Sequence, residues 1–254
     1  MSPEVSRIPS KVAPVTLAFW VAKICATTVG ETGGDALSMS LGLGYAASTL
    51  LLLAVFAVAL GAQVATKRYH PAAYWLLVVA TTTVGTTTSD YFDRTLELGY
   101  VASSAILLAT VVGVLLAWRF TTGHIAVDQV TARKDEIFYW VTILVANTLG
   151  TALGDFVAST TGLGFEKGAL VFAGLIGLVA VAYKTKRLPE SVLFWAAYIL
   201  TRPLGATLGD TLTKSHEEGG LEIGRVASSL GIALVMAAVI AATSLRTREP
   251  ARVA

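Results

Sequence analysis

The sequence predicts an all-α membrane protein, a polytopic bundle of eight transmembrane helices built from four two-helix repeats. Three observations predict this fold class. First, the 254 residues are 54% hydrophobic and 14% charged, with a mean hydropathy of +0.68, whereas soluble domains carry about a quarter charged residues. Second, the apolar residues form long runs separated by short polar turns. Third, the motif G-x-x-x-[G/S]-D occurs four times, near the end of alternate runs.

A membrane-spanning helix needs about 20 mostly apolar residues. Eight runs meet this requirement, at residues 14–38, 43–66, 72–93, 98–118, 137–159, 165–183, 190–213 and 221–245. The segments after the second, fourth, sixth and eighth runs are basic, whereas the other connections are mixed or acidic. Because basic connections favour the cytoplasm, we predict that both termini are cytoplasmic. Residues 1–11 are interpreted as a polar cytosolic lead and not as a signal peptide, because the first run is long and carries Lys23.

The four motif copies start 55, 65 and 55 residues apart and run from Gly30 to Asp35, Gly85 to Asp90, Gly150 to Asp155 and Gly205 to Asp210. The predicted repeats, all within one integral membrane domain, are residues 12–66, 67–118, 137–187 and 188–246, with residues 119–136 as a cytosolic linker. Two spans return the chain to its starting side, so all four repeats share one orientation. Their pseudo-fourfold or pseudo-twofold axis is predicted to run along the membrane normal.

A tryptophan stands ten residues before the first glycine of each motif, at Trp20, Trp75, Trp140 and Trp195. Each follows a phenylalanine or a tyrosine. Amphipathic aromatic rings favour the headgroup level of a bilayer. The pattern therefore predicts an aromatic belt at the cytoplasmic boundary of the odd-numbered spans.

Small residues four positions apart lie on one face of a helix and let two helix backbones approach closely in lipid. The motif places such a pair in every odd-numbered span, with Ser89 as the second small residue of the second copy. The glycines predicted to pack helices in this way are Gly30, Gly34, Gly85, Gly150, Gly154, Gly205 and Gly209.

A polar stripe precedes each aspartate of the motif, at positions four, seven and eight residues earlier. A stripe of this kind is predicted to face the protein interior or a water-filled cavity, because unsatisfied polar groups are costly in hydrocarbon. If the odd-numbered spans are innermost, the four stripes converge on the central axis. Besides Glu31, the residues predicted to line a substrate pathway are Thr28, Thr83, Thr86, Asn147, Thr148, Thr151 and Arg202.

The chemistry that these stripes offer is that of oxygen ligands. The predicted metal ligands are the carboxylates of Glu31, Asp35, Asp90, Asp155 and Asp210. Hard oxygen ligands suit Mg²⁺, Ca²⁺ and Mn²⁺, and no predicted span contains a histidine. Carboxylates this numerous cannot all be ionised at close range unless cations neutralise them. The cluster is therefore suited to the exchange of a metal ion for protons.

Two basic residues lie well inside predicted spans, away from the span ends. Arg202 stands eight residues before Asp210, and its predicted depth makes it expensive to bury alone. We interpret Arg202 as an internal counter-charge for the acids. Lys23 lies nearer the cytoplasmic boundary, and we expect its side chain to snorkel to the headgroups.

The segments Ala26–Asp35, Thr81–Asp90, Asn147–Asp155 and Gly205–Asp210 resemble a bacterial family that is described only as uncharacterised membrane-anchored proteins. This resemblance implies residence in the bacterial inner membrane and supplies no activity. The run Leu208-Gly209-Asp210-Thr211 also resembles the Gly-Asp motif of small cation/proton exchangers that handle calcium and manganese. That family has a glutamate two residues before its Gly-Asp pair, where this chain has Thr207.

The sequence thus predicts a transporter for a divalent metal cation of the manganese or calcium class, with proton-coupled efflux through the acidic site. A cation channel with a pseudo-fourfold acidic ring and a non-transporting membrane scaffold are the alternatives. An enzyme is not predicted, because the chain shows no nucleophile–base pair and no phosphate-binding loop. The expected partners are the lipid bilayer, the transported metal and H⁺, with no nucleic acid and no resident cofactor, and a homo-oligomer is left open.

Overall fold

The computed structural model describes residues 10–66, 68–125 and 130–246, and these residues form helices and turns without a strand. The eight long helices are α1 (Leu17–Asp35), α2 (Gly44–Ala65), α3 (Pro71–Asp90), α4 (Tyr100–Thr122), α5 (Arg133–Asp155), α6 (Gly164–Thr185), α7 (Glu190–Thr213) and α8 (Arg225–Arg246). A five-residue π-helical turn continues α1, α3 and α5 beyond their aspartates. In the fourth repeat a short 3₁₀ helix, His216–Glu218, follows α7 instead, where the sequence is five residues longer.

Six of the helices in the described ranges are long and apolar enough to cross a membrane, and the fifth helix qualifies together with its π-helical turn. The predicted all-α fold is confirmed, and membrane residence is supported by these six helices. The two remaining long helices are α1 and α3. Both carry dense polar stripes, with Glu31 in α1 and six threonines in α3, and most of these polar side chains are buried inside the bundle.

The odd-numbered helices form an inner ring in the order α1, α3, α5, α7, and α7 packs back against α1. The even-numbered helices surround this ring. Each even-numbered helix packs chiefly against the odd-numbered helix of the next repeat, so that α2 packs on α3 and α4 packs on α5. The same rule places α6 on α7 and closes the circle with α8 on α1.

Glycines set the close spacing of the inner ring. The first glycine of each motif faces the residue that stands eight positions before the aspartate of the next odd-numbered helix, giving the pairs Gly30–Thr82, Gly85–Asn147, Gly150–Arg202 and Gly205–Thr27. A methyl group on Gly85 would lie only 2.9 Å from the carbonyl carbon of Asn147. The second glycine of the motif makes the same kind of contact one helical turn later, with the residue four positions before the next aspartate. The pairs are Gly34–Thr86, Gly154–Ala206 and Gly209–Glu31. All seven glycines predicted to pack helices therefore lie at ring contacts.

The predicted aromatic belt is wrong for three of its four tryptophans. Trp75, Trp140 and Trp195 are 5%, 1% and 3% exposed, and they belong to one buried cluster at the end of the ring opposite the aspartates. Aromatic rings pack edge to face within this cluster, for example Tyr139 on Trp140 at 5.2 Å between centroids. Aromatic pairs of this kind contribute about 0.5–1.5 kcal/mol beyond the burial of their area, and this cluster fills that end of the ring.

The predicted linker at 119–136 is shorter in the structure, because α4 extends to Thr122 and α5 begins at Arg133. Residues 126–129 of the linker and residues 1–9 of the lead lie outside the described residues. At the described end of the lead, the ammonium of Lys11 lies 2.9 Å from the Glu136 carboxylate. The amide of Gln63 donates to the carbonyl of Lys11 at 3.0 Å.

Candidate cation site

The four aspartates of the motif come together at one end of the inner ring, which we call the aspartate end. Three of them are the last residues of α1, α3 and α5, and Asp210 lies near the end of α7. The helical backbone continues past each carboxylate, so none of them caps a helix. All four are buried, with 2–3% of each residue exposed.

Two basic side chains bridge these aspartates in pairs. The guanidinium of Arg94 lies 2.9 Å from Asp90 and 3.7 Å from Asp155. The ammonium of Lys214 lies 3.4 Å from Asp210 and 3.8 Å from Asp35. Each cation stands four residues after the aspartate of its own repeat and reaches the aspartate of the next repeat. The charged cluster therefore has pseudo-twofold and not fourfold symmetry.

Lys214 lies just beyond the end of α7, and its environment favours the charged form. Burial by itself lowers the pKa of Lys214, but the carboxylates of Asp210 and Asp35 outweigh burial and raise this pKa above its ordinary value. A third cation, Arg225 at the start of α8, has its Nε 3.6 Å from Asp35. Asp93 lies beside the cluster and accepts a hydrogen bond of 3.2 Å from Ser89.

Three of the five predicted metal ligands form a compact group. Glu31, Asp35 and Asp210 each offer one carboxylate oxygen, and these three oxygens lie within 4.8 Å of one another. We call this group the acid triad, and all three residues are buried. Asp90 and Asp155 lie outside the triad and share Arg94. The structure therefore divides the predicted ligands into a set of three and a set of two.

Arg202 occupies the next layer along the axis and is fully buried. Its Nη2 donates to the Glu31 carboxylate at 2.9 Å, to the Thr86 hydroxyl at 2.6 Å and to the Thr151 hydroxyl at 2.5 Å. One side chain from α7 thus contacts the other three inner helices. Its Nε and Nη1 have no hydrogen-bond partner in the described part of the chain.

Lys23 lies one layer further from the aspartates. The residue is fully buried, its ammonium donates to Asn147 at 3.2 Å, and it lies 4.2 Å from the ring centroid of Tyr198. The Asn147 amide in turn donates to the Thr81 hydroxyl at 2.9 Å. The snorkelling interpretation of Lys23 is therefore wrong, because α1 directs this side chain across the axis towards α5.

The residues of the predicted polar stripe lie on two different faces of the inner helices. Residues four and eight positions before the aspartates lie at ring contacts or on the axis. The threonines seven positions before, Thr28, Thr83 and Thr148, donate to the carbonyl four residues earlier in their own helices at 2.9, 2.7 and 3.0 Å. Thr148 lines a mostly apolar groove of about 420 Å³ between α2, α3, α4 and α5. These hydroxyls are satisfied by their own helices.

Arg94, Lys214 and Arg225 are the site residues that sequence reasoning missed, because the sequence places Arg94 and Lys214 in outer connections and Arg225 at the opening of the eighth predicted span. A signal was present for two of them. Arg94 and Lys214 each follow an aspartate by four residues, the spacing that brings two side chains together on a helix. Arg225 gave no such signal, since its approach to Asp35 depends on the packing of α8 against α1.

The charges in this region nearly balance. Asp93 apart, five carboxylates face four basic side chains, namely Arg94, Lys214, Arg225 and Arg202, which leaves a formal charge of −1. Mutual pairing of this kind is what allows so many charges to be buried together. The basic side chains thus do in this structure what cations were expected to do from the sequence.

The repeat pattern also identifies the family. The profile of a family described as "Repeat of Unknown Function (DUF347)" matches residues 18–69, 73–124, 138–187 and 193–249. The four matches follow the four two-helix repeats, and the family description supplies no activity. No curated protein and no solved structure matches the chain. The chain belongs to the DUF347 repeat family, with four copies of its repeat.

Proposed function

We propose that this protein is an eight-span transporter of the bacterial inner membrane that exports a divalent cation of the manganese or calcium class in exchange for protons. The observation that supports the proposal is the acid triad. Its three oxygens lie within 4.8 Å of one another. Ligands at 2.3–2.6 Å on opposite sides of one Ca²⁺ are about 5 Å apart, so the triad has the right dimensions for such an ion.

The ligand types support a hard cation. Carboxylates form the triad, and the Thr86 hydroxyl lies 3.4 Å from the Glu31 carboxylate. The cysteine, Cys25, lies half-buried in α1 without a second thiol to pair with. Softer metals prefer sulfur or imidazole ligands, which favours manganese and calcium over zinc and copper.

The proposal takes α1 and α3 as membrane spans in addition to the six apolar helices. Their polar side chains are mostly buried in the ring, whereas apolar residues such as Leu17, Val21 and Leu76 are exposed on their outer surfaces. A lipid environment is compatible with that surface, because polar groups within a membrane bundle face its interior.

Topology can be tested with single cysteines in a chain that carries Cys25→Ala. We expect cysteine at the exposed position 217, within the 3₁₀ helix, to react with a membrane-impermeant maleimide added to intact cells. Cysteine at the exposed position 186, after α6, is expected to react only after permeabilisation. Equal labelling of the two positions in intact cells would contradict eight spans with cytoplasmic termini.

The packing along the axis and the charge balance bear differently on the two alternative functions. Arg202 and Lys23 both cross the axis, which argues against a permanently open channel. The near balance of charges favours the scaffold as the second candidate, because each cluster acid already has a basic partner. Under the scaffold hypothesis these ion pairs only stabilise the ring, and the protein binds no metal.

Metal binding distinguishes the transporter from the scaffold. Purified protein is expected to bind Mn²⁺ or Ca²⁺, and Asp210→Asn is expected to weaken this binding by roughly tenfold or more, about 1.4 kcal/mol, because it removes one triad ligand. Asp93→Asn is the matched control, since Asp93 is a neighbouring acid outside the triad. Isothermal titration and metal flux in proteoliposomes provide the measurements. Wild-type protein that neither binds nor transports metal would favour the scaffold.

A further inference from the structure

Building on the proposed transport function, we infer that Lys214 is an exchangeable occupant of the cation site. Its ammonium takes the place of the transported ion between Asp210 and Asp35, and it leaves when that ion enters. Arg94, its counterpart across the pseudo-twofold axis, is the fixed counter-charge of the other aspartate pair.

The position of the Lys214 ammonium is the first argument for this inference. Its Nζ lies 3.4 Å from Asp210 and 3.8 Å from Asp35, and these are two of the three acids of the triad. A metal ion bound by the same oxygens would lie within a few ångströms of the ammonium, and like charges repel strongly at that range. The metal ion and the ammonium therefore exclude each other.

One ligand atom of the triad is held only loosely, which is the second argument. Asp210 is 2% exposed, and its Oδ1 has no hydrogen-bond partner in the described part of the chain. The Lys214 ammonium contacts this oxygen at 3.4 Å, which is longer than a charged hydrogen bond of about 2.7–2.9 Å. A buried carboxylate oxygen held this loosely is available to a stronger ligand.

The backbone around Lys214 allows the exchange to occur by side-chain rotation alone. The carbonyl of Lys214 accepts a hydrogen bond of 3.0 Å from the amide of Glu222, and the amide of Leu221 donates to Thr211 at 2.7 Å. These bonds fix the loop against the end of α7. The long, flexible lysine side chain is then the part that can move.

Arg94 differs from Lys214 in geometry and in surroundings. Its guanidinium contacts both of its aspartates, one of them at 2.9 Å, and a planar guanidinium holds two carboxylates better than an ammonium does. The triad uses Glu31 as its third acid, but Thr151 occupies the equivalent position in the helix that carries Asp155. Among the described residues, the Arg94 half of the cluster therefore has no group of three acids as compact as the triad, and the nearby Asp93 contacts Ser89 instead.

Mn²⁺ titration of purified protein tests the inference with matched variants. We expect Lys214→Gln to bind Mn²⁺ roughly tenfold or more tightly than wild type, because a competing charge is removed from the site. Arg94→Gln removes the same charge from the other pair and is expected to show no such gain. Lys214→Arg keeps the charge and is expected to bind no more tightly than wild type.

A second measurement avoids any variant that might misfold. In wild-type protein, saturating Mn²⁺ is expected to increase modification of Lys214 by an amine-reactive reagent, read by peptide mass spectrometry. Equal Mn²⁺ affinities of wild type and Lys214→Gln, or an equal gain in Arg94→Gln, would overturn the inference while leaving metal transport standing. The absence of Mn²⁺ and Ca²⁺ binding in every variant would overturn the proposed function itself.

Discussion

Replacing Arg202 with methionine is expected to destabilise the protein by about 3–5 kcal/mol, the usual cost of removing one partner of a buried ion pair. Arg202 is fully buried, and its Nη2 is the cation that neutralises Glu31 at 2.9 Å. Without it, the Glu31 carboxylate remains in the packed interior beside the aspartates. The hydroxyls of Thr86 and Thr151 lose the same donor. Thermal unfolding in detergent measures the loss.

A double-mutant cycle separates charge from packing. If the loss comes from the uncompensated Glu31, then Glu31→Gln in the Arg202→Met background should recover roughly 2 kcal/mol, within the range measured for residues in contact. Arg187→Met is the surface control, because Arg187 is exposed after α6 and such substitutions usually change stability by less than about 0.5 kcal/mol. Additive effects of the two core substitutions would contradict the role given to this pair.

The second large effect is expected at Gly205, where alanine should destabilise the protein by about 3 kcal/mol through overpacking. A Cβ at this position would lie 2.5 Å from the Cβ of Thr27 and 2.9 Å from its carbonyl carbon. Neither atom can rotate away, so α1 and α7 would have to separate. Separation would also strain the hydrogen bond of 3.1 Å from the Thr27 hydroxyl to the carbonyl of Thr201.

Gly174→Ala provides the matched control for this glycine. Gly174 lies within α6, where a Cβ would meet no atom within 4 Å. Alanine is the better helix former by nearly 1 kcal/mol, so this variant should be as stable as wild type or slightly more stable. Equal melting temperatures for the variants at 174 and 205 would show that the inner helices are not packed as tightly as described.

Much of the architecture follows from spacing in the sequence. The fourfold motif, the tryptophans ten residues earlier and the charge of the connections predict two-helix repeats in one orientation. The glycine pairs predict close helix contacts, because small residues four apart share a helix face. The glycine spacing leaves undetermined which helix each glycine meets. That choice depends on the ring closing in the order α1, α3, α5, α7.

The site was harder to predict because its charges pair between repeats. The acids were recognised from their recurrence, but their partners come from the π-helical turn after α3, from the residue that follows α7 and from the start of α8. Lys23 illustrates the same limit. Its position near a predicted boundary favoured contact with headgroups, whereas the direction of its side chain depends on the rotation of α1 against α5. Helix rotation is set by packing and cannot be obtained from hydropathy.

Each outer helix covers the inner helix of the next repeat, and this offset determines where the chain can be opened without losing helix contacts. The last helix, α8, packs on α1 in the same way as α2 packs on α3. The contact between the fourth repeat and the first is therefore built like the three contacts between successive repeats. A circular permutant that opens the chain after α2 or α6 would therefore retain the same helix neighbours. By the same logic, a fragment of two repeats would leave one inner helix uncovered and one outer helix without a partner, and two such fragments would be needed to complete the ring.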